Sequence, residues 1–198
     1  MPVDLGESVY TAPAPQSPPR KKWTREECQA SECAGLWQGQ HYELIEGELI
    51  DKMGKKRRHV QAARSVAHAL EQIFRWDFIA TEAPIDVSPE DNPASEPEPD
   101  VYVLRTRAWP GNNPRPEHLA LVVEISDSTL NFDLGVKAGL YARAGIVEYW
   151  VLDLNSRRLI VHRDPSGSVY KTVVAYSESE GVAPLSSQQE VLVIDLLR

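Results

Sequence analysis

The order of apolar and polar residues in the first third of the chain predicts a helix, a hairpin and a second helix. Thr24 and Glu27 have the spacing of a capping box, which predicts that a short helix begins there. Residues 41–50 read as two short strands joined by a turn at Gly47. Between about 58 and 75, apolar residues recur every three or four positions, which predicts an amphipathic helix.

The remainder of the chain predicts strands on either side of one more helix. The segments expected to be strands share apolar composition and turn residues at their ends: 77–81, 85–87, 100–105, 119–125, 146–154, 157–163 and 168–176. The last apolar segment, 191–197, is not assigned to a helix or a strand. A helix is expected over 132–144, ending at Gly145. This order predicts an α/β fold of the α+β kind, in which a mixed sheet is flanked by helices.

Composition predicts one folded domain after a short leader. Residues 1–22 contain five prolines and show no hydrophobic periodicity, so we expect a flexible Pro-rich leader followed by a single domain over 23–198. No stretch is apolar enough to span a membrane, and the N-terminus lacks the apolar segment of a secretory signal. The chain also has only two cysteines, so the expected location is cytoplasmic. No membrane partner is expected.

Charge is unevenly distributed along the chain. The net charge of −8 argues against a protein that coats nucleic acid without sequence preference. A basic cluster nevertheless surrounds the start of the second predicted helix, and four of its members are candidate substrate-binding residues: Lys55, Lys56, Arg57 and Arg58. These side chains could contact phosphate, or they could equally belong to a solvated loop and helix start.

Two carboxylates and one lysine are the candidate catalytic residues. Asp100 begins one apolar run and Glu124 lies near the end of another. Burying a carboxylate at such a position costs free energy unless a cation or hydrogen bonds compensate for it. Lys137 falls on the packed face of the 132–144 helix, beside Asp133. A structural ion pair between Asp133 and Lys137 is one explanation. The other is a metal site, in which Asp100 and Glu124 bind Mg²⁺ or Mn²⁺ and Lys137 positions water or stabilises charge on a phosphate.

Several short strings in this order resemble a known nuclease family. They are Tyr42–Glu48, Ser95–Asp100, Val123–Thr129, Asp133–Tyr141 and Gly145–Asp153. The chain resembles the PD-(D/E)XK nuclease superfamily, and within it a bacterial restriction endonuclease domain family. The resemblance implies a restriction endonuclease-like core with an added N-terminal helix and hairpins. It also implies a metal-dependent endonuclease that hydrolyses DNA phosphodiester bonds and acts as a homodimer.

The chain departs from the superfamily pattern at one position. Ser126 occupies the place of the usual lysine two residues after the second acid, and the resemblance implies that Lys137 supplies the ammonium instead. Three secondary candidates accompany Ser126. Glu48 is a possible further acid or a surface residue, His59 faces inward at a helix start, and Asp133 could orient Lys137.

Two other functions fit the same residues. The first is a catalytically inactive nuclease fold that serves as a nucleic-acid-binding or protein-interaction module, which Ser126 and the negative charge favour. The second is a metal-assisted hydrolase of a small phosphorylated substrate, which needs a cleft too narrow for a duplex. For a homodimer, the hairpin over 146–163 is expected to be exposed and available as an interface.

Overall fold

The computed structural model describes residues 19–52, 54, 56–107 and 111–198. Ten strands are present in these ranges: β1 (Tyr42–Ile45), β2 (Glu48–Asp51), β3 (Ile79–Thr81), β4 (Val101–Leu104), β5 (Leu119–Ser126), β6 (Glu148–Asp153), β7 (Arg158–Ser166), β8 (Val169–Ser177), β9 (Gly181–Val182) and β10 (Val191–Leu192). Six of them form the main sheet in the order β3-β4-β5-β6-β7-β8. The pairs β1–β2 and β9–β10 form two small sheets outside it.

The helices are α1 (Arg25–Cys33), α2 (Arg57–Phe74), α3 (Leu130–Phe132), α4 (Ala138–Arg143) and α5 (Val193–Leu196). A π-helical turn, Asp133–Lys137, joins α3 to α4 without a break, and we call this continuous segment the crossover helix. Short 3₁₀ turns occur at Trp76–Phe78, Asn92–Ala94 and Pro116–His118. None of the helices within the described ranges is both long and apolar enough to span a bilayer.

The main sheet contains one parallel pair, β5–β6, and every other pair of neighbours in it is antiparallel. Because parallel neighbours need a long connection, the chain leaves β5, runs through the crossover helix and returns as β6. Apolar residues of α2 and α5 pack on one face of the sheet, and those of the crossover helix pack on the other. The fold is therefore the predicted mixed α+β sheet flanked by helices.

Strand alternation directs the side chains of β5 to these two layers. Val123 and Ile125 pack with the α2 layer, whereas Val122 packs with the crossover layer. Glu124, one residue after Val123, accordingly faces the crossover helix. The antiparallel register pairs Val101 with Val123, which brings Asp100, at the start of β4, next to the end of β5.

Most predicted elements are present, and three predictions need correction. The Thr24–Glu27 capping box is formed in full, and both hydrogen bonds are made. Residues 85–87 are not a strand, and a 3₁₀ turn precedes β3. The hairpin over 146–163 is exposed mainly at its turn, because every residue of β6 is buried between β5 and β7 and β8 covers the edge of β7. The leader boundary near residue 22 stays a prediction, since residues 1–18 lie outside the described ranges.

Candidate active site

Lys137 lies at the centre of a buried group of carboxylates. Its Nζ atom is 2.8 Å from Oε1 of Glu43 and 2.8 Å from Oε1 of Glu124. Tyr141, one helical turn later, donates a hydrogen bond of 2.9 Å to the same Glu124 oxygen. Because Lys137 pairs with Glu43 and Glu124 and not with Asp133, the structural explanation by a local ion pair is wrong.

The π-helical turn fixes the position of the lysine. The amide of Ala138 donates to the carbonyl of Asp133, five residues back, and the Tyr149 hydroxyl donates to the same carbonyl at 3.1 Å. Thr129 donates to the Asp133 carboxylate at 2.6 Å. Asp133 and Lys137 are both buried, and π turns within helices occur frequently at functional sites. Asp133 thus supports the turn that carries Lys137.

Asp100 is held at the end of the sheet by contacts from both layers. Its Oδ2 atom accepts a hydrogen bond of 2.8 Å from the amide of Ile125 on β5. The same oxygen lies 3.1 Å from Nε2 of His59, in the first turn of α2. The other ring nitrogen of His59, Nδ1, is buried and makes no hydrogen bond in the described part of the chain. These contacts fix the Asp100 carboxylate beside Glu124.

Burial and neighbouring charges raise the pKa values of the central groups. The pKa of Glu124 rises to about 7 because burial disfavours its charged form and because Asp100 and Glu43 add negative charge, while Lys137 opposes the rise. Burial alone would lower the pKa of Lys137, but Glu124, Glu43 and Asp133 together raise it. Two carboxylates share one ammonium, so the group carries surplus negative charge.

The central group opens into a cleft of about 170 Å³ between the β1–β2 hairpin, α2 and the crossover helix. Glu43, His59, Asp100, Asp133 and Lys137 all contribute to its lining. Lys52 lies at the same cleft, where its Nζ atom is 3.8 Å from Oε2 of Glu43. The floor of the cleft is therefore lined by carboxylates, and lysine side chains lie beside them.

The hairpin acid in the cleft is Glu43, and Glu48 is the surface residue that was one of its two interpretations. Glu48 is about half exposed and pairs with Lys22 at 3.0 Å, and it does not line the cleft. Glu43, on β1, takes the position expected for Glu48. Ser126 is fully buried, and its Oγ atom is 3.5 Å from Oγ1 of Thr129, so it contributes no charge to the site.

The four predicted substrate-binding residues differ in their surroundings. Lys56 lines the cleft and its Nζ atom is 3.8 Å from Oδ2 of Asp127. Arg58 forms an ion pair with the same Asp127 carboxylate. Arg57 is exposed at the first position of α2. Lys55 lies outside the described residues. Lys56 is therefore the member of this set that the described structure places at the cleft.

Comparison with known proteins assigns the chain to a family. A family model described as "Putative restriction endonuclease" (Uma2) matches residues 26–195. The chain belongs to this family. A crystal structure of a "putative nuclease belonging to DUF820" from Anabaena variabilis ATCC 29413 has a similar fold, with a TM-score of 0.59 and 16% sequence identity, over 79% of this chain and 89% of that one. No curated protein matches the chain at a significant level.

Membership of the restriction endonuclease family supports a nuclease-like function and a hydrolase activity, as the sequence motifs predicted. The family match extends over all the strands and helices that contribute Glu43, Asp100, Glu124 and Lys137. It does not identify which residues act in catalysis. Their roles therefore depend on the geometry of the cleft.

Two residues that contact the central group were not predicted from the sequence. Glu43 precedes the buried pair Leu44 and Ile45 within β1, and alternation places it on the same side as Ile45, which is a detectable signal for an inward-facing acid. Tyr141 lies four residues after Lys137, on the same face of the helix. Both contacts span different elements, so the partner could not be read from the sequence.

The donor atoms suit a hard divalent cation held by few protein ligands. Asp100 and Glu124 supply carboxylate oxygens, which Mg²⁺ and Mn²⁺ prefer. The hydrogen bonds from Lys137 and Tyr141 both use Oε1 of Glu124, and the raised pKa of this carboxyl shows that its charge is incompletely balanced. No group of three or more His, Cys, Asp or Glu side chains in the described ranges is arranged to hold a metal. Mg²⁺ commonly takes one or two carboxylates with water and substrate oxygens, and two is the number that Asp100 and Glu124 would supply.

Proposed function

We propose that this protein is a Mg²⁺-dependent endonuclease that hydrolyses DNA phosphodiester bonds, with Asp100 and Glu124 as the metal ligands and Lys137 as the third catalytic residue. The observation that carries the proposal is the buried lysine between two carboxylates, 2.8 Å from each, beside a third carboxylate held by the end of β5. Mn²⁺ is expected to replace Mg²⁺, because both bind carboxylate oxygens.

The bound cation would neutralise the phosphate and lower the pKa of a water molecule. The residues of the chain prepare the site for this chemistry. The amide of Ile125 and the ring of His59 orient the Asp100 carboxylate, and Lys137 and Tyr141 orient Glu124. The ammonium of Lys137 is the fixed positive charge nearest these acids, and it is suited to stabilise charge that develops on a phosphate oxygen.

Lys137 would also supply the ammonium that is missing from the superfamily pattern at Ser126. The ammonium reaches Glu124 from the crossover helix rather than from β5, at hydrogen-bond distance. The proposal therefore needs no lysine on the strand. Lys56, at the entrance of the cleft, is proposed as a phosphate contact, with the neighbouring Lys55 and Arg57 as further candidates.

Supercoiled plasmid DNA with Mg²⁺ or Mn²⁺ tests the proposal. The wild type should nick or linearise the plasmid, and D100N, E124Q and K137M should each lose cleavage. E48Q is the matched control, because it removes a carboxylate from the same hairpin at an exposed position outside the cleft. Cleavage by D100N at the wild-type rate would refute the assignment.

The same proteins separate this proposal from an inactive nucleic-acid-binding module, the second candidate. Calorimetric titration with Mn²⁺ should show binding to the wild type that is lost in E124Q. DNA binding without metal binding or cleavage would favour the inactive module. A phosphate monoester as the preferred substrate would instead favour the small-molecule hydrolase.

We further propose a homodimer, because a duplex presents two strands and each copy supplies one cleft. The corrected position of the 146–163 hairpin moves the candidate interface to β8, an edge strand of the main sheet within the described residues. Three valines on β8 are exposed: Val169, Val173 and Val174. A long exposed edge strand with apolar side chains is suited to pairing with a second copy.

A further inference from the structure

A second cavity, of about 330 Å³, runs along α2 next to the proposed active site. We call it the α2 groove, and its lining residues are Val60, Ala63, Arg64, Ala67, His68, Glu71, Trp76, Thr81, Glu82 and Asp100. Asp100 lines both the groove and the cleft. His59 lines the cleft, and the next residue, Val60, lines the groove. The groove thus begins where the proposed scissile phosphate binds.

The floor of the α2 groove is apolar and partly accessible. Val60, Ala63 and Ala67 recur at helical spacing along it, and Val60 is 44% exposed although it lies on the apolar half of α2. Trp76, which follows the end of α2, is 58% exposed. An indole ring with this exposure makes a large apolar surface available to a ligand.

The backbone on both sides of the groove departs from common conformations. Arg75, directly before Trp76, has φ 65° and ψ 150°, a region populated almost only by glycine. Glu82, across the groove, has φ 50°. Such conformations cost on the order of 1–3 kcal/mol each and are concentrated at ligand-binding positions. The conformation of Arg75 directs the chain so that the Trp76 ring lies at the groove.

The polar side chains of the groove comprise one arginine, one histidine, one threonine and three acids, and Arg64 is the one suited to a phosphate. Arg64 is exposed at the groove and could contact a phosphate. Among the acids, Glu71 is next to a histidine, and its Oε2 atom lies 3.6 Å from Nδ1 of His68. An aromatic platform combined with a cation is the arrangement with which proteins bind single-stranded DNA. From Val60 to Glu71 the groove extends about 16 Å along the helix, at 1.5 Å per residue.

We propose that the α2 groove binds an unpaired DNA segment next to the scissile phosphate, with one base stacked on Trp76 and a phosphate at Arg64. This inference rests on the proposed nuclease function, because the shared residue Asp100 links the groove to that site. It assigns to this protein a preference for DNA that is unpaired or frayed on one side of the cut.

The test is binding of a fluorescein-labelled thymidine 12-mer, followed by anisotropy in EDTA so that no cleavage occurs. W76A should raise the Kd about 5- to 150-fold, which corresponds to the loss of one stacked base, and W76F should restore part of the affinity. R64Q should weaken binding and reduce the dependence of log Kd on log salt by about 0.7. L36A and R105Q are matched controls, since Leu36 and Arg105 are exposed outside the groove and should leave the Kd unchanged.

The outcomes separate this inference from the proposed nuclease function. If W76A and R64Q bind the 12-mer as the wild type does while metal-dependent cleavage is intact, the groove assignment is overturned and the nuclease function stands. If W76A weakens binding but the wild type never cleaves, the groove assignment stands and the nuclease function fails. A change in oligomeric state in W76A with unchanged DNA binding would show that a protein occupies the groove, and would overturn the inference.

Discussion

Replacing Lys137 by methionine tests the buried charge group most directly. Methionine keeps most of the side-chain volume but removes the ammonium, which leaves Glu43 and Glu124 buried without their cation. Removal of one partner from a buried ion pair costs about 3–5 kcal/mol. The hydrogen bond that Lys137 donates to Glu124 accounts for about 1.5–3 kcal/mol of this loss. We therefore expect the free energy of unfolding of K137M to fall by about 3–5 kcal/mol at pH 8.

The loss should depend on pH with a defined sign. Lys137 lowers the pKa of Glu124, so without this lysine the folded-state pKa of Glu124 lies still further above the unfolded value near 4.5. An acid with a raised folded-state pKa contributes its full stability below the unfolded pKa and loses that contribution as pH rises through the folded pKa. The difference in free energy of unfolding between K137M and wild type should therefore grow with pH. The increase is up to about 1.4 kcal/mol per pH unit for each additional proton bound in the folded variant.

Urea denaturation at pH 5.5, 7 and 8.5, followed by circular dichroism, measures these differences. R105M is the matched control, because Arg105 is an exposed cation outside the buried group and its replacement should change the free energy of unfolding by less than about 0.5 kcal/mol. A K137M protein as stable as wild type at pH 8.5 would refute the reasoning, and so would a difference that is constant over this pH range.

Three further predictions concern the same site and the proposed dimer. E43Q should lower both stability and DNA cleavage because it weakens the hold on Lys137, whereas E48Q should change neither in denaturation and plasmid assays. Mn²⁺ affinity measured by calorimetry should rise about tenfold per pH unit below pH 7 and level off above it, because Glu124 must lose its proton to bind a cation. Y141F should raise the pH at which the affinity levels off, because it removes a hydrogen bond to the charged form of Glu124. V173D should convert a dimer to a monomer in light scattering, and an unchanged mass would exclude β8 as the interface.

The sequence was sufficient to predict the elements that the site uses. The capping box at Thr24, the amphipathic period of α2 and the uninterrupted apolar run of β5 each depend on local physical rules, and the structure agrees with them. Asp100, Glu124 and Lys137 could be selected because each places a charge in an apolar setting. The burial of all three follows from the same pattern.

Long-range pairing explains what the sequence could not predict. Lys137 pairs with Glu43 on a hairpin outside the main sheet, and no periodicity reports the position of that hairpin relative to the crossover helix. For this reason Glu43 was not predicted, whereas Glu48 is the surface residue that was one of its two interpretations. The π turn at Asp133–Lys137 likewise depends on contacts from Thr129 and Tyr149, so helical periodicity alone could not reveal it.

The parallel pairing of β5 with β6 has a consequence for the order in which the site assembles. Glu124 and Lys137 are 13 residues apart and both belong to the unit of β5, crossover helix and β6, so their ion pair involves a short loop closure. Glu43 joins from a hairpin much earlier in the chain, at a larger entropic cost. We expect the Glu124–Lys137 half of the site to form in the folding transition state and the Glu43 contact to form after it. In kinetic terms, E43Q should mainly speed unfolding, whereas E124Q should slow folding.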